Sequence, residues 1–223
     1  MFNAFVFDAY GTLFNVHAAI ARYRAAAGPQ AEQFSEIWRT KQLEYTWTLT
    51  LAGRYVDFWT LTERALDYAL ARVPSVERAL RSKLLDAYLT LDAFPEVPAA
   101  LAGLKARGAR LAILSNGTSR MLAAAVEAAG LAQSLDAVLS VEAVRRYKPR
   151  SEAYALVTER LAVTARDVAF VSSNRWDVMG AVAYGFAAVW VNRSRLPDEY
   201  PELAPVRQLA DLTALHDVEA ETP

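Results

Sequence analysis

Residues able to do chemistry stand at the ends of short apolar runs along this chain. The run Phe2 to Phe7 ends in Asp8-Ala9-Tyr10-Gly11-Thr12, which puts a carboxylate at the C-terminal tip of an expected buried strand, where open α/β sheets bind their ligands. Leu114 is followed by Ser115-Asn116-Gly117, a third run by Lys148-Pro149, and Val171 by Ser172-Ser173-Asn174 leading to Asp177. Each has a plain structural reading. Asp8 can cap a turn before Gly11, Asn116-Gly117 is an ordinary turn pair, Ser115 or Thr118 can cap a helix, and Lys148 can be a surface lysine before a helix beginning at Pro149. Asp177 can cap the helix it opens. A carboxylate, a hydroxyl, a lysine and a second carboxylate at successive strand tips point instead to one shared site.

The elements that must position them follow from the apolar pattern. Ala4–Phe7, Arg110–Leu114, Ala137–Leu139, Val168–Val171 and Ala187–Val191 read as five strands. Between them Val97, Ala100, Leu101 and Leu104, or Ala153, Leu156, Val157 and Leu161, recur at helical spacing, the βαβ pattern of a doubly wound parallel sheet. Between about Asn15 and Asp92 there is no convincing strand, only helix-forming sequence, with Pro74-Ser75 marking one helix start. Pro95 and Pro98 restart the core. The fold class is therefore α/β: a Rossmann-like doubly wound core of residues 1–14 and 93–223, with a helical cap of residues 15–92 inserted after the first strand. A cap in that place hangs over Asp8 and can close a pocket and exclude water.

Composition narrows the partners. The 223 residues are 54% hydrophobic with a net charge of −1, enough for one sizeable core and without the basic stripe that nucleic acid or an anionic membrane requires. No apolar segment has the length of a bilayer span, and the start runs into a strand without a targeting signal. A cytoplasmic protein binding neither nucleic acid nor membrane is expected. Cysteine is absent and only His17 and His216 carry imidazoles. They lack the spacing of a metal pair; His17 is expected to open a surface helix. There is no internal repeat or low-complexity tract, and Glu219 to Pro223 read as a frayed tail.

With a nucleophile-bearing first strand tip, a hydroxyl at the next, a lysine and a final acidic loop, the chain resembles the haloacid dehalogenase superfamily over nearly its whole length. It departs from the phosphatase pattern of that superfamily at two points. Two positions beyond Asp8 stands Tyr10 instead of a second Asp, and Ser173 replaces the first acid of the terminal loop. Losing both carboxylates removes leaving-group protonation and weakens a magnesium site, which needs several oxygen ligands. The departures resemble the L-2-haloacid dehalogenase subgroup in Asp-Ala-Tyr-Gly-Thr, Trp38-Arg39, Ser-Asn-Gly, Lys-Pro and Ser-Ser-Asn-x-aromatic-Asp. The stretches Trp38 to Trp47 and Gly53 to Trp59 resemble it as well.

That resemblance implies hydrolytic removal of halide from short (S)-2-haloalkanoic acids, giving (R)-2-hydroxy acids, with no metal or organic cofactor and commonly as a homodimer. It implies Asp8 as the nucleophile that forms an ester, later opened by water at the carboxyl carbon. Halide departure needs no proton, so Tyr10 costs this reaction nothing. Lys148 supplies the opposite charge that two approaching carboxylates require. Ser115 and backbone donors at Ala9 and Tyr10 are implied to hold the substrate carboxylate, and Arg39, Asn116 and Trp176 the leaving halide. Thr12, Tyr154, Ser172, Asn174 and Asp177 are implied around Asp8, the last two with the hydrolytic water. Tyr10, Leu43, Phe58 and Trp59 would wall a tight pocket around a short acyl chain, or serve lid packing or a dimer contact. A magnesium-dependent phosphatase using Asp8 is the alternative activity, and a non-catalytic binding protein the alternative from another class.

Overall fold

The computed structural model describes residues 2–218. Six parallel strands form one sheet in the order β3-β2-β1-β4-β5-β6: β1 (Ala4–Phe7), β2 (Arg110–Ser115), β3 (Ala137–Ser140), β4 (Val168–Ser172), β5 (Ala187–Val191) and β6 (Arg207–Leu209). The parallel α/β sheet anticipated from the apolar runs is present. Every residue of β1 and β4 is buried, as central strands covered on both faces require. The edge strands β3 and β6 are more exposed. The sixth strand was not among the five expected, because its three residues Arg207-Gln208-Leu209 carry no apolar run; pairing to β5 alone makes them a strand.

Between β1 and β2 the described chain builds helices and no strand. These are α1 (Ala18–Ala21), α2 (Arg24–Ala27), α3 (Ala31–Leu51), α4 (Phe58–Arg72), α5 (Arg81–Leu89) and α6 (Val97–Ala106), followed after β2 by α7 (Ser119–Ala128), α8 (Ser151–Leu161) and α9 (Arg175–Tyr184). Asp57 caps α4 by accepting from Thr60 N at 3.0 Å, and Thr118 caps α7 by accepting from Met121 N at 3.2 Å, each satisfying an otherwise orphaned amide. Two expected helix starts are displaced. Pro74-Ser75 opens no helix, since the Ser75 hydroxyl donates to Gln30 and a 3-10 turn at Arg78–Leu80 leads into α5. The helix after Lys148 begins at Ser151 rather than Pro149. The expected frayed tail, Glu219 to Pro223, lies outside the described residues.

The segments leaving and rejoining the sheet run side by side. Asn15 N donates to Asp92 O and Phe94 N to Leu13 O, both at 2.9 Å, with Phe14 and Ala93 forming an antiparallel bridge. Arg193, just beyond β5, grips both. It donates to Thr12 O at 3.1 Å, pairs with Glu96 at 2.6 Å, and its guanidinium lies 3.8 Å from the centre of the Phe94 ring. The helices α3, α4 and α5 interlock through Trp38, whose indole donates to Thr62 O at 3.0 Å, and through Gln42, which donates to Thr62 Oγ1 at 2.9 Å.

Under the strand tips, Phe170 of β4 is fully buried between Tyr154 in an edge-on contact and Phe186 in a stack. The Lys148 ammonium lies 5.4 Å from its ring centre. Phe170→Ala is expected to lower unfolding stability by about 3–5 kcal/mol, the usual cost of a large core aromatic. Urea denaturation measures it, and a loss below about 1 kcal/mol would show that this layer does not support the site.

Candidate active site

The tips of β1, β2 and β4 bring most of the anticipated residues together around one lysine. Lys148 is fully buried, and its ammonium donates to Asp8 Oδ1 at 2.9 Å, Asp177 Oδ2 at 2.6 Å and Leu114 O at 3.1 Å. An ammonium has three donors, and all three are used. Its main-chain N–H is held in turn by Asn116 Oδ1 at 3.0 Å. Lys148 is therefore no surface lysine.

Asp8 is buried directly beyond β1. Its Oδ2 accepts from Asn174 Nδ2 at 2.8 Å and lies 3.2 Å from the Thr12 hydroxyl, which itself accepts from Ser173 N at 2.8 Å. The intervening loop can fold back because Ala9 O accepts the amides of Leu13 and Phe14, both at 3.0 Å, and because Gly11 adopts φ 94°, a left-handed conformation that favours glycine.

Asp177 sits in the first turn of α9 with its carboxylate turned inward, and no side chain caps that helix. The capping reading gives way to a buried network: Oδ1 accepts from Tyr154 OH at 2.7 Å, and Oδ2 from Ser172 Oγ at 3.1 Å as well as from Lys148. Burial pushes the Asp177 carboxyl up to about 6, against the pull of Lys148 and with a further rise from Asp8. Burial opposes the Lys148 charge, but Asp177 and Asp8 overcome it and its pKa is raised. Tyr154 is pushed well above the ordinary phenol range by burial and by Asp177, so it remains a proton donor.

The remaining anticipated residues surround this cluster. Ser115 is buried and its hydroxyl accepts from Gly117 N at 3.1 Å. Asn116 uses its oxygen on Lys148, while its Nδ2 is buried without a partner. Arg39 donates through Nη2 to Tyr10 O at 3.2 Å, and its buried Nη1 has no partner. Asn174 Nδ2 approaches the same carbonyl at 3.3 Å. The Tyr10 ring is held between Phe58, at 6.0 Å between ring centres, and Tyr88, stacked at 5.7 Å. It also lies against Gly117, where a Cβ would come within 2.6 Å of the ring. Leu43 and Trp176 stand farther out. Both are half-buried; the Leu43 carbonyl serves Thr46 within α3, and Trp176 packs edge-on against Trp47. His17 precedes α1 as an exposed residue and contacts Ser35 at 2.8 Å.

Sequence reasoning missed Tyr88 and Gln42. The Tyr88 hydroxyl, buried on α5, donates to Gln42 Oε1 at 3.3 Å, and the Arg39 guanidinium lies near enough to oppose the rise that burial imposes on the phenol. At helical spacing with Leu84 and Leu85, Tyr88 has the pattern of any core aromatic, and only the unmatched hydroxyl hinted at more. Among the described residues, no three His, Cys, Asp or Glu side chains gather where they could hold a metal ion.

The site and sheet define a hydrolase of known type, and the family model for haloacid dehalogenase-like hydrolases matches residues 2–185: the chain belongs to that family. A curated relative, (S)-2-haloacid dehalogenase 1 from Pseudomonas sp. (strain CBS-3), is 48% identical over 96% of this chain and 94% of its own length. (S)-2-haloacid dehalogenase 4A from Burkholderia cepacia is 45% identical over 92% and 89%. The structure of L-2-haloacid dehalogenase from Xanthobacter autotrophicus with chloropropionic acid covalently bound has 38% identity and a TM-score of 0.86, covering 97% of this chain and 98% of that one. Within its family the chain falls in the L-2-haloacid dehalogenase subgroup.

Removing the shared cation leaves two buried carboxylates facing each other, a loss that typically costs about 3–5 kcal/mol. Lys148→Met is expected to lose that much stability at neutral pH in urea denaturation. A variant as stable as the parent would show that the ammonium is not what permits both carboxylates to be buried.

Proposed function

We infer that this chain hydrolyses the carbon–halogen bond of short (S)-2-haloacids, releasing halide and the (R)-2-hydroxy acid through an ester on Asp8. The observation that carries the reading is a buried carboxylate bridged to a lysine, with Tyr10 where leaving-group protonation would need an acid and with unpaired donors on Arg39 and Asn116 nearby. The relatives named above carry the same chemistry in their names, one of them with a covalently bound acid.

In this reading an Asp8 oxygen attacks C2, the carbon–halogen bond breaks, and the halide leaves with the bonding pair, inverting the carbon. Arg39 and Asn116 receive the anion, with Trp176 completing that wall; stabilisation of developing charge of this kind is commonly worth on the order of 10²–10³ in rate per donor. Ser115 and the amides after Asp8 take the substrate carboxylate. Water then adds to the Asp8 carboxyl carbon, one of its protons passing to Asp177. The ester breaks between that carbon and its oxygen, the departing alkoxide takes the proton from Asp177 to become the hydroxy acid, and Asp8 releases the second water proton as it returns to carboxylate. Asn174 and Ser172 position the water, Thr12 holds the nucleophile loop, and Tyr154 fixes Asp177. Tyr10, Leu43 and Phe58 form the acyl wall, with residues 15–92 as the cap closed over a core of residues 1–14 and 93–223. No described helix is long and apolar enough to cross a membrane. We read the protein as a cytoplasmic homodimer.

Halide release from (S)-2-chloropropionate is expected in the presence of EDTA, with the opposite enantiomer inert and Asp8→Asn inactive. A single turnover in water carrying heavy oxygen should leave the label on Asp8 and none in the product. Label in the product of that first turnover would exclude the ester.

Asp177 accepts a proton only as carboxylate. Its pKa is raised to about 6 with Asp8 charged. The ester removes the Asp8 charge and so lets Asp177 stay ionised to a lower pH, and turnover is expected to fall, with the ester accumulating, as pH drops below about 6. Quenched-flow mass analysis at pH 5 against pH 8 checks this; equal ester levels at both would remove Asp177 from the hydrolytic step.

A further inference from the structure

Two cavities approach the cluster, and their chemistry differs. One, of about 320 Å³, is walled by Trp47, Leu51, Pro149, Trp176 and Met179. It reaches Lys148, but all three N–H groups of that ammonium are engaged inward, and its neighbour Arg150 is paired with Glu152 at 2.8 Å. A small anion crossing it would lose hydration with little to replace it.

The other cavity, of about 360 Å³, ends on Tyr10, Asn174 and Arg39 and opens between the paired linkers and the loop after β5, past His17, Arg193 and Ser194. Among the described residues, no carboxylate lines it. At its inner end Asn174 already touches Asp8, and Arg39 has a buried nitrogen without a partner. Arg193 is offset by Glu96, so among the described residues Arg39 is the cation without an ion pair that faces this space. The outer loop is held in shape: Asn192 donates to Leu196 O and accepts from Leu196 N, both at 2.8 Å.

We propose that this second cavity is an anion vestibule, through which the haloacid carboxylate reaches Asp8 and the halide product leaves, with Arg39 as its inner attractor. The inference rests on the haloacid reading above and specifies the route by which that site is loaded. A vestibule that carries Asn and Ser side chains among apolar ones and ends on Arg39, which has no ion-pair partner among the described residues, concentrates small monovalent anions and raises their arrival rate. The polar wall also replaces part of the hydration that a carboxylate or halide surrenders on the way in.

Ser194 is exposed on the rim and belongs to no part of the reacting cluster. Ser194→Glu and Ser194→Gln are nearly equal in size and differ in charge, and the same pair at Thr50, on the wall of the apolar cavity, reports on the other route. For wild-type enzyme and all four variants, kcat/KM for (S)-2-chloropropionate is measured at low and at about 1 M salt, where the screening length is about 3 Å. The expected result is a value about threefold or more lower for Ser194→Glu than for Ser194→Gln at low salt, with the gap closing at high salt and the Thr50 pair differing less. Equal values for the Ser194 pair at low salt, or a larger gap for the Thr50 pair, would overturn the vestibule while wild-type halide release keeps the catalytic reading intact. Absence of halide release by the wild type would overturn both.

Discussion

The Lys148 ammonium is the interaction on which the active end of the molecule depends. Two carboxylates from different strand tips could not share a dry space without it, because their mutual repulsion and the desolvation of each would force one to take a proton or the loop to open. With all three donors spent on Asp8, Asp177 and Leu114 O, the lysine has one way to sit. The three segments that carry its partners are thereby fixed relative to one another. Burial, against the pull of Lys148 and with a further push from Asp8, lifts Asp177 to about 6. That places beside Asp8 a carboxyl group able to exchange a proton near neutral pH.

A second constraint couples the helical layer to this cluster. The Tyr10 carbonyl accepts from Arg39 on α3 and from Asn174 at the start of α9, so a single main-chain oxygen joins an arginine carried by the insertion to an amide that touches Asp8. Behind it, Arg193 ties the outgoing and returning linkers through Thr12 O, Phe94 and Glu96. Movement of the helices therefore reaches the nucleophile loop through a few short contacts. The same groups, Tyr10, Arg39, Asn174, Phe94 and Arg193, also line the cavity beside Arg39.

The aromatic wall has a different task. Tyr10, Phe58 and Tyr88 pack ring against ring over Gly117, with no room for a methyl group at that glycine. Aromatic packing of this kind excludes water and strengthens nearby electrostatic interactions. The hydroxyls on the wall are not idle. Tyr88 and Gln42 form a buried polar thread to Thr62, which fixes α3 and α5 in the register that aims Arg39.

The α/β class and five of the six strands were legible in the chain, as was the presence of polar residues after their apolar runs. Apolar periodicity reports burial directly, and a polar residue ending a buried run marks a sheet tip. The sixth strand was not legible, because an exposed three-residue edge has no apolar pattern and exists only by pairing with β5. Tyr88 and Gln42 were missed for the converse reason: helical spacing identifies a residue as buried without saying which hydroxyl or amide meets which partner. Asp177 could be read as a cap until its carboxylate was seen turned toward Lys148 and Tyr154. The sequence by itself determined which chemistry was available and at which strand ends, since those depend on residue type and local period. Only the tertiary structure decided how the three lysine donors are shared, which carboxylate is raised and which cavity faces the arginine, because these depend on distances between segments 29 to 140 residues apart.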